Sequence, residues 1–127
     1  MPYVKGKGVI KLDNIQYFDA GSEIKETIVG IIAGMSSVIV ENRNLPIVAF
    51  AKSDGGVKVS ARGTQDLIRR GVNLSEAMSV VSAEFGGAGG GHDIAAGATI
   101  PENAKEDFIR RLDLFIGEQL KKKTNSL

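Results

Sequence analysis

The sequence predicts an α/β (α+β) domain with a mixed central β-sheet and flanking helices. Three observations carry this. "PIVAFAK" (Pro46 to Lys52) is a continuous apolar run, and "VKVSAR" (Val57 to Arg62) alternates strictly. The "SDGG" between them is a tight-turn signal, so the two form a hairpin. Around this hairpin lie segments of helical period: Ile24, Ile28, Ile31, Ile32 and Met35 before it, and two capped segments after it. A chain of 127 residues that is 43% hydrophobic and 24% charged supports one domain with a buried core.

Taken in order, "MPYVKGKG" begins a lead-in over residues 1–14 with little to bury. "IQYFDA" (Ile15 to Ala20) is aromatic and β-branched and reads as a strand. Ser22 can cap the helix that follows, which runs toward Asn42; Val38, Ile39 and Val40 are also compatible with a short strand. In the hairpin, Val57, Val59 and Ala61 face the core while Lys58, Ser60 and Arg62 share the opposite face. Thr64 caps "QDLIRRG", which Gly71 ends. Asn73 caps a further helix with Glu76 at the reciprocal capping-box position and Leu74, Met78, Val81 and Phe85 on its apolar face. "DIAAGATI" (Asp93 to Ile100) reads as a strand of small residues. Pro101 opens a last helix buried through Ile109, Leu112, Phe115, Ile116 and Leu120. The domain spans 15–121, and residues 122–127 belong to a basic tail.

Several function classes are excluded or disfavoured. A net charge of +1 gives no global basic field, so any binding of nucleic acid must rest on local donors. With no cysteine there is no disulfide frame and no thiolate metal site. No apolar run reaches the ~18 residues of a membrane span and no signal peptide opens the chain, so a cytoplasmic location away from membranes is expected. Tryptophan is absent and aromatics are 6%, which argues against a base-stacking platform.

The chemistry concentrates in "GGAGGGHDIAAG" (Gly86 to Gly97), a glycine loop followed by the only histidine, His92. Glycine runs free successive amides to converge on an anion, and His92 adds a side-chain donor. The competing explanation is close packing of helix and strand, which this segment alone favours. It lacks the lysine of a P-loop. Ser60 and Arg62 on the hairpin's polar face supply a guanidinium fork suited to phosphate.

"GGGHDIAAGATI" resembles the GGGH…AAG signature of the DHHA1 domain, the C-terminal domain of DHH-superfamily phosphoesterases that include RecJ-like single-strand exonucleases. "ETIVGIIAGM" resembles the opening helix of that domain, and "LPIVAFAKSDGGVKVSARG" its strand–turn–strand ending in serine-x-arginine. The three landmarks stand in family order and cover the chain from about Ile15, with archaeal RecJ-like proteins closest in texture. The resemblance implies a substrate-phosphate site in which Gly89, Gly90 and Gly91 offer amides, His92 donates to a phosphate oxygen, and Arg62 clamps beside Ser60. Ala95, Ala96 and Gly97 are then structural. Asp93 stands where some relatives carry proline or arginine.

The family's catalytic domain holds two divalent metals, manganese or magnesium, through residues that include an Asp-His-His motif. This sequence has one histidine and no such motif. The resemblance therefore implies a substrate-binding domain with no catalytic residues, no metal ligands and no phosphodiesterase activity alone. Its partners would be single-stranded nucleic acid or a short nucleotide, and a DHH catalytic domain in cis or in trans. Two alternatives stay open: a tRNA-contacting domain like the tail of alanyl-tRNA synthetase, and a non-catalytic subunit-contact module.

Overall fold

The computed structural model describes residues 9–19, 28–53 and 55–125. The elements are β1 (Ile10–Lys11), β2 (Gln16–Asp19), α1 (Ile28–Glu41), β3 (Ile47–Ser53), β4 (Gly56–Arg62), α2 (Gln65–Arg69), α3 (Leu74–Glu84), β5 (Ala88–Gly91), β6 (Ala95–Ile100) and α4 (Lys105–Asn125). The strands form one six-stranded sheet in the order β1-β2-β3-β4-β6-β5. β2 and β3 are parallel, joined across α1, and every other pairing is antiparallel. This is the mixed α/β architecture that the periodicities predict.

Alternation decides which face each residue serves. Val57, Val59 and Ala61 are buried as expected and join Val48, Phe50 and Ile100 against Leu74, Met78 and Val81 of α3 and Phe108, Leu112 and Ile116 of α4. On the other face a smaller cluster of Phe18, Ile47 and Ala49 meets Met35, Val38 and Ile39 of α1. The apolar stripe of α1 thus covers the β2–β3 half of that face. The β4–β6–β5 half stays uncovered among the described residues.

The helix expected to run toward Asn42 does so: Val38 to Val40 are helical, with the Asn42 amide donating to the Val38 carbonyl at 3.1 Å; Ser22 and Ile24 lie outside the described residues. Three local expectations change. The 1–14 lead-in contains β1, whose pairing of Ile10 with Tyr17 and Lys11 with Gln16 makes it an edge of the sheet. A 3-10 turn over Glu102–Ala104 separates Pro101 from α4, so proline caps that turn instead of opening the helix. α4 runs on to Asn125, which makes Lys121, Lys122 and Lys123 its last turns and not a loose tail.

The fourth change is the largest. Ala88 to Gly91 are not a loop: they form β5, paired with β6 from Ala88↔Thr99 to Gly91↔Ala96. Glycine has poor β propensity, but here close approach requires it. A Cβ on Gly89 would stand 2.7 Å from the Met78 carbonyl oxygen and 2.9 Å from the Ala98 Cβ, so α3 can lie on β5 only without side chains there.

Candidate phosphate-binding face

The register of β3, β4, β6 and β5 builds three rows of residues across the uncovered half of the sheet. Directly opposed residues share a face. The first row is Ile47–Arg62–Ala95–His92, in which His92 and Ala95 exchange backbone hydrogen bonds of 2.8 and 3.3 Å. The second is Ala49–Ser60–Gly97–Gly90, and the third is Ala51–Lys58–Thr99–Ala88. Adjacent rows lie about 7 Å apart along the strands and adjacent residues in a row about 5 Å apart across them. Arg62 and His92 therefore flank Ala95 at about 10 Å between their backbones. Both are exposed, and among the described residues neither the guanidinium nor the imidazole has a hydrogen-bond or ion-pair partner.

The corner that carries His92 is fixed to its neighbours through the backbone. The Gly63 amide donates to the Ile94 carbonyl at 2.9 Å, and the Leu74 amide, at the start of α3, donates to the Asp93 carbonyl at 2.9 Å. These bonds join the turn to the end of β4 and to α3. The exposed Asp93 contributes its carbonyl to that anchoring. Gly91 sits at φ +144°, a conformation open to glycine, immediately before His92.

Ser60, Arg62, Gly90 and His92 are thus brought together on one face. Gly89 and Gly91 lie in the same strand but alternate onto the α3 side. Because His92 and Ala95 form a doubly bonded pair, the alternation of an antiparallel ladder assigns the Gly90 amide to β6 and turns the Gly89 and Gly91 amides toward the sheet edge. The glycines make an edge strand, with no concave loop of three converging amides.

Two hollows follow the rows. One, of about 330 Å³, holds Ser60, Arg62, Gly90, Gly91 and Ala95 to Gly97 under Ile32 and Met35. The other, of about 540 Å³, continues along α1 past Ile31 and Ile32 over Ala51, Lys58, Ala88 and Thr99. They share Ile32, Ser60 and Gly97. Alternation in β4 already set Lys58 beside Ser60, but Thr99 and Ala88 were not legible in the sequence, because only the pairing of β4 with β6 and β5 puts them on that face. Among the described residues no group of three His, Asp or Glu side chains could hold a metal ion, and no helix is long and apolar enough to cross a membrane.

A six-stranded mixed sheet, packed on one face and half open on the other, defines an α/β domain with a surface groove floored by strands. The chain belongs to the DHHA1 domain family, which it matches over residues 12–118. An uncharacterized protein of Methanocaldococcus jannaschii is 44% identical over 112 residues, covering 88% of this chain; the chain spans only 24% of that relative's length. The C-Ala domain of Aquifex aeolicus alanyl-tRNA synthetase superposes with a TM-score of 0.60 at 12% identity, over 88% of this chain and 97% of that one. RecJ from Thermus thermophilus, in complex with Mn2+, superposes with a TM-score of 0.54 at 21% identity, over 80% of this chain and 14% of RecJ. At these identities the likeness is one of fold.

Proposed function

We propose that this domain grips the phosphate backbone of single-stranded nucleic acid, or of a short nucleotide, for a metal-dependent DHH catalytic domain in a RecJ-like exonuclease. The observation that carries the reading is the first row: two exposed donors without a partner among the described residues, Arg62 and His92, on either side of the small Ala95. A phosphate above Ala95 would take a forked contact from Arg62 and a single one from His92, with the Ser60 hydroxyl beside them. The outward amides of Gly89 and Gly91, on the free edge of β5, would serve a neighbouring phosphate. The catalytic partner would supply the manganese or magnesium for hydrolysis; the residues here would hold substrate only.

Fluorescence anisotropy of a short 5′-phosphorylated single strand at low salt tests this. Wild type should bind, folded His92→Ala and Arg62→Ala should bind at least several-fold less, and added manganese should produce no cleavage. Equal binding by both variants overturns the reading. The C-Ala superposition supports a second one, contact with tRNA. Competition separates the two: a folded tRNA that displaces the single strand at much lower concentration than an unstructured RNA favours the second.

A further inference from the structure

The glycines of β5 differ in what demands them. Packing excludes a side chain at Gly89, and φ disfavours one at Gly91. Gly90 has neither reason: its φ is not in the left-handed region, and a Cβ there would meet nothing within 4 Å. Across from it, a Cβ on Gly97 would meet only the Val59 carbonyl oxygen, at 3.1 Å. The second row, Ser60–Gly97–Gly90, is therefore a trough across three strands, about 10 Å long, in which the peptide backbone itself is the floor. One side of the trough carries Arg62 and the other Lys58, each two residues from Ser60 on β4. Lys58 is exposed and has no ion-pair partner among the described residues. Ile32 of α1, 41% exposed, overhangs both hollows.

We propose that this trough is a nucleoside subsite, and that it holds an internal nucleotide of the strand with one phosphate at Arg62 and the next at Lys58. The inference rests on the phosphate reading given above and adds the occupant of the adjoining groove. Its chemistry follows from the rows. The middle is flat, narrow and nearly free of side chains, so it admits a planar base against peptide planes and under an aliphatic cap. The flanks are cationic on both sides, so the preferred ligand is anionic at both ends. Ser60 is the only side-chain hydrogen-bonding group on the trough's floor, which leaves the subsite indifferent to base identity.

The test uses the 127-residue chain, amide NMR titration, and three probes: inorganic phosphate, thymidine 5′-monophosphate and thymidine 3′,5′-bisphosphate. Wild type should bind the bisphosphate at least several-fold more tightly than the monophosphate. Lys58→Ala should erase that preference. Gly90→Val should keep or raise the melting temperature, keep the phosphate-induced shifts around Arg62 and His92, and lose about tenfold in affinity for both nucleotides. If Gly90→Val binds the nucleotides as wild type does, the trough is not the subsite and the inference fails while the phosphate reading stands. If Arg62→Ala leaves all three probes unaffected, the phosphate reading itself fails and takes this one with it.

Discussion

Gln119 of α4 binds Asn73 from both sides of its peptide: its Oε1 accepts from the Asn73 amide at 3.1 Å and its Nε2 donates to the Asn73 carbonyl at 3.0 Å. The same Nε2 donates to Glu76 Oε1 at 2.9 Å. Asn73 in turn caps α3 by accepting from the Glu76 amide at 3.1 Å. A side chain on the last helix thus completes the N-terminus of α3, which carries the anchor of the His92 corner. Gln119→Ala should destabilise the domain by about 1–2 kcal/mol, because it removes two part-buried hydrogen bonds to the Asn73 backbone and one to Glu76. Urea denaturation measures the loss, and binding of the folded variant should be unchanged.

That contact shows where sequence reading stops. Asn73 and Glu76 have the spacing of a capping box, and the cap from Asn73 is there. The reciprocal bond is not, because Gln119, 46 residues away, takes the Asn73 amide. Strands with clear alternation, such as β4, were legible together with the face each residue serves. β5 was not, since four residues of alanine and glycine carry no periodic signal and pair only because β6 and α3 close over them. Ser60, Arg62 and His92 could each be singled out by residue type, but their placement in adjoining rows depends on the β4–β6–β5 order, a non-local pairing that no short motif encodes.

Substitutions at neighbouring glycines should part company. Gly89→Ala forces a Cβ into the Met78 carbonyl and should cost about 1–3 kcal/mol. Gly90→Ala should be neutral or stabilise by about 0.5 kcal/mol, through a less disordered unfolded chain. Thermal melts of the two variants compare them directly.

Arg62 should respond differently to charge removal and to charge-preserving change. Arg62→Ala should weaken binding of a phosphorylated single strand about tenfold and lower the salt slope by about 0.7, the share of one phosphate contact on a single strand. Arg62→Lys should keep the slope and still lose affinity, since lysine offers a point charge in place of a fork. Anisotropy titrations over a range of salt concentration read both quantities.

Asp113 is 8% exposed on α4 and accepts amide hydrogen bonds from Asn14 at 2.7 Å and Ile15 at 3.1 Å. Burial raises its pKa and the charge of Asp13 adds to the rise, against the lowering by those two amides. The folded state therefore holds this proton more tightly than the unfolded chain. The contribution is fully present below the ordinary carboxylate value and is lost as pH rises through the raised one. In denaturation series from about pH 3 to about pH 7, wild type should lose stability relative to Asp113→Asn, which keeps an acceptor without the charge. A difference independent of pH would contradict this.

The backbone bonds from Gly63 to Ile94 and from Leu74 to Asp93 also bear on time. A recognition loop that must first be ordered spends part of its interaction energy on that ordering and adds a slow step to capture. Here Arg62 stands on a strand, and His92 on a corner fastened to that strand's end and to a helix, before any ligand arrives. Capture of an oligonucleotide should then be a single-step encounter, its observed rate rising linearly with concentration without a plateau. Weak affinity, where it occurs, would express itself as rapid departure.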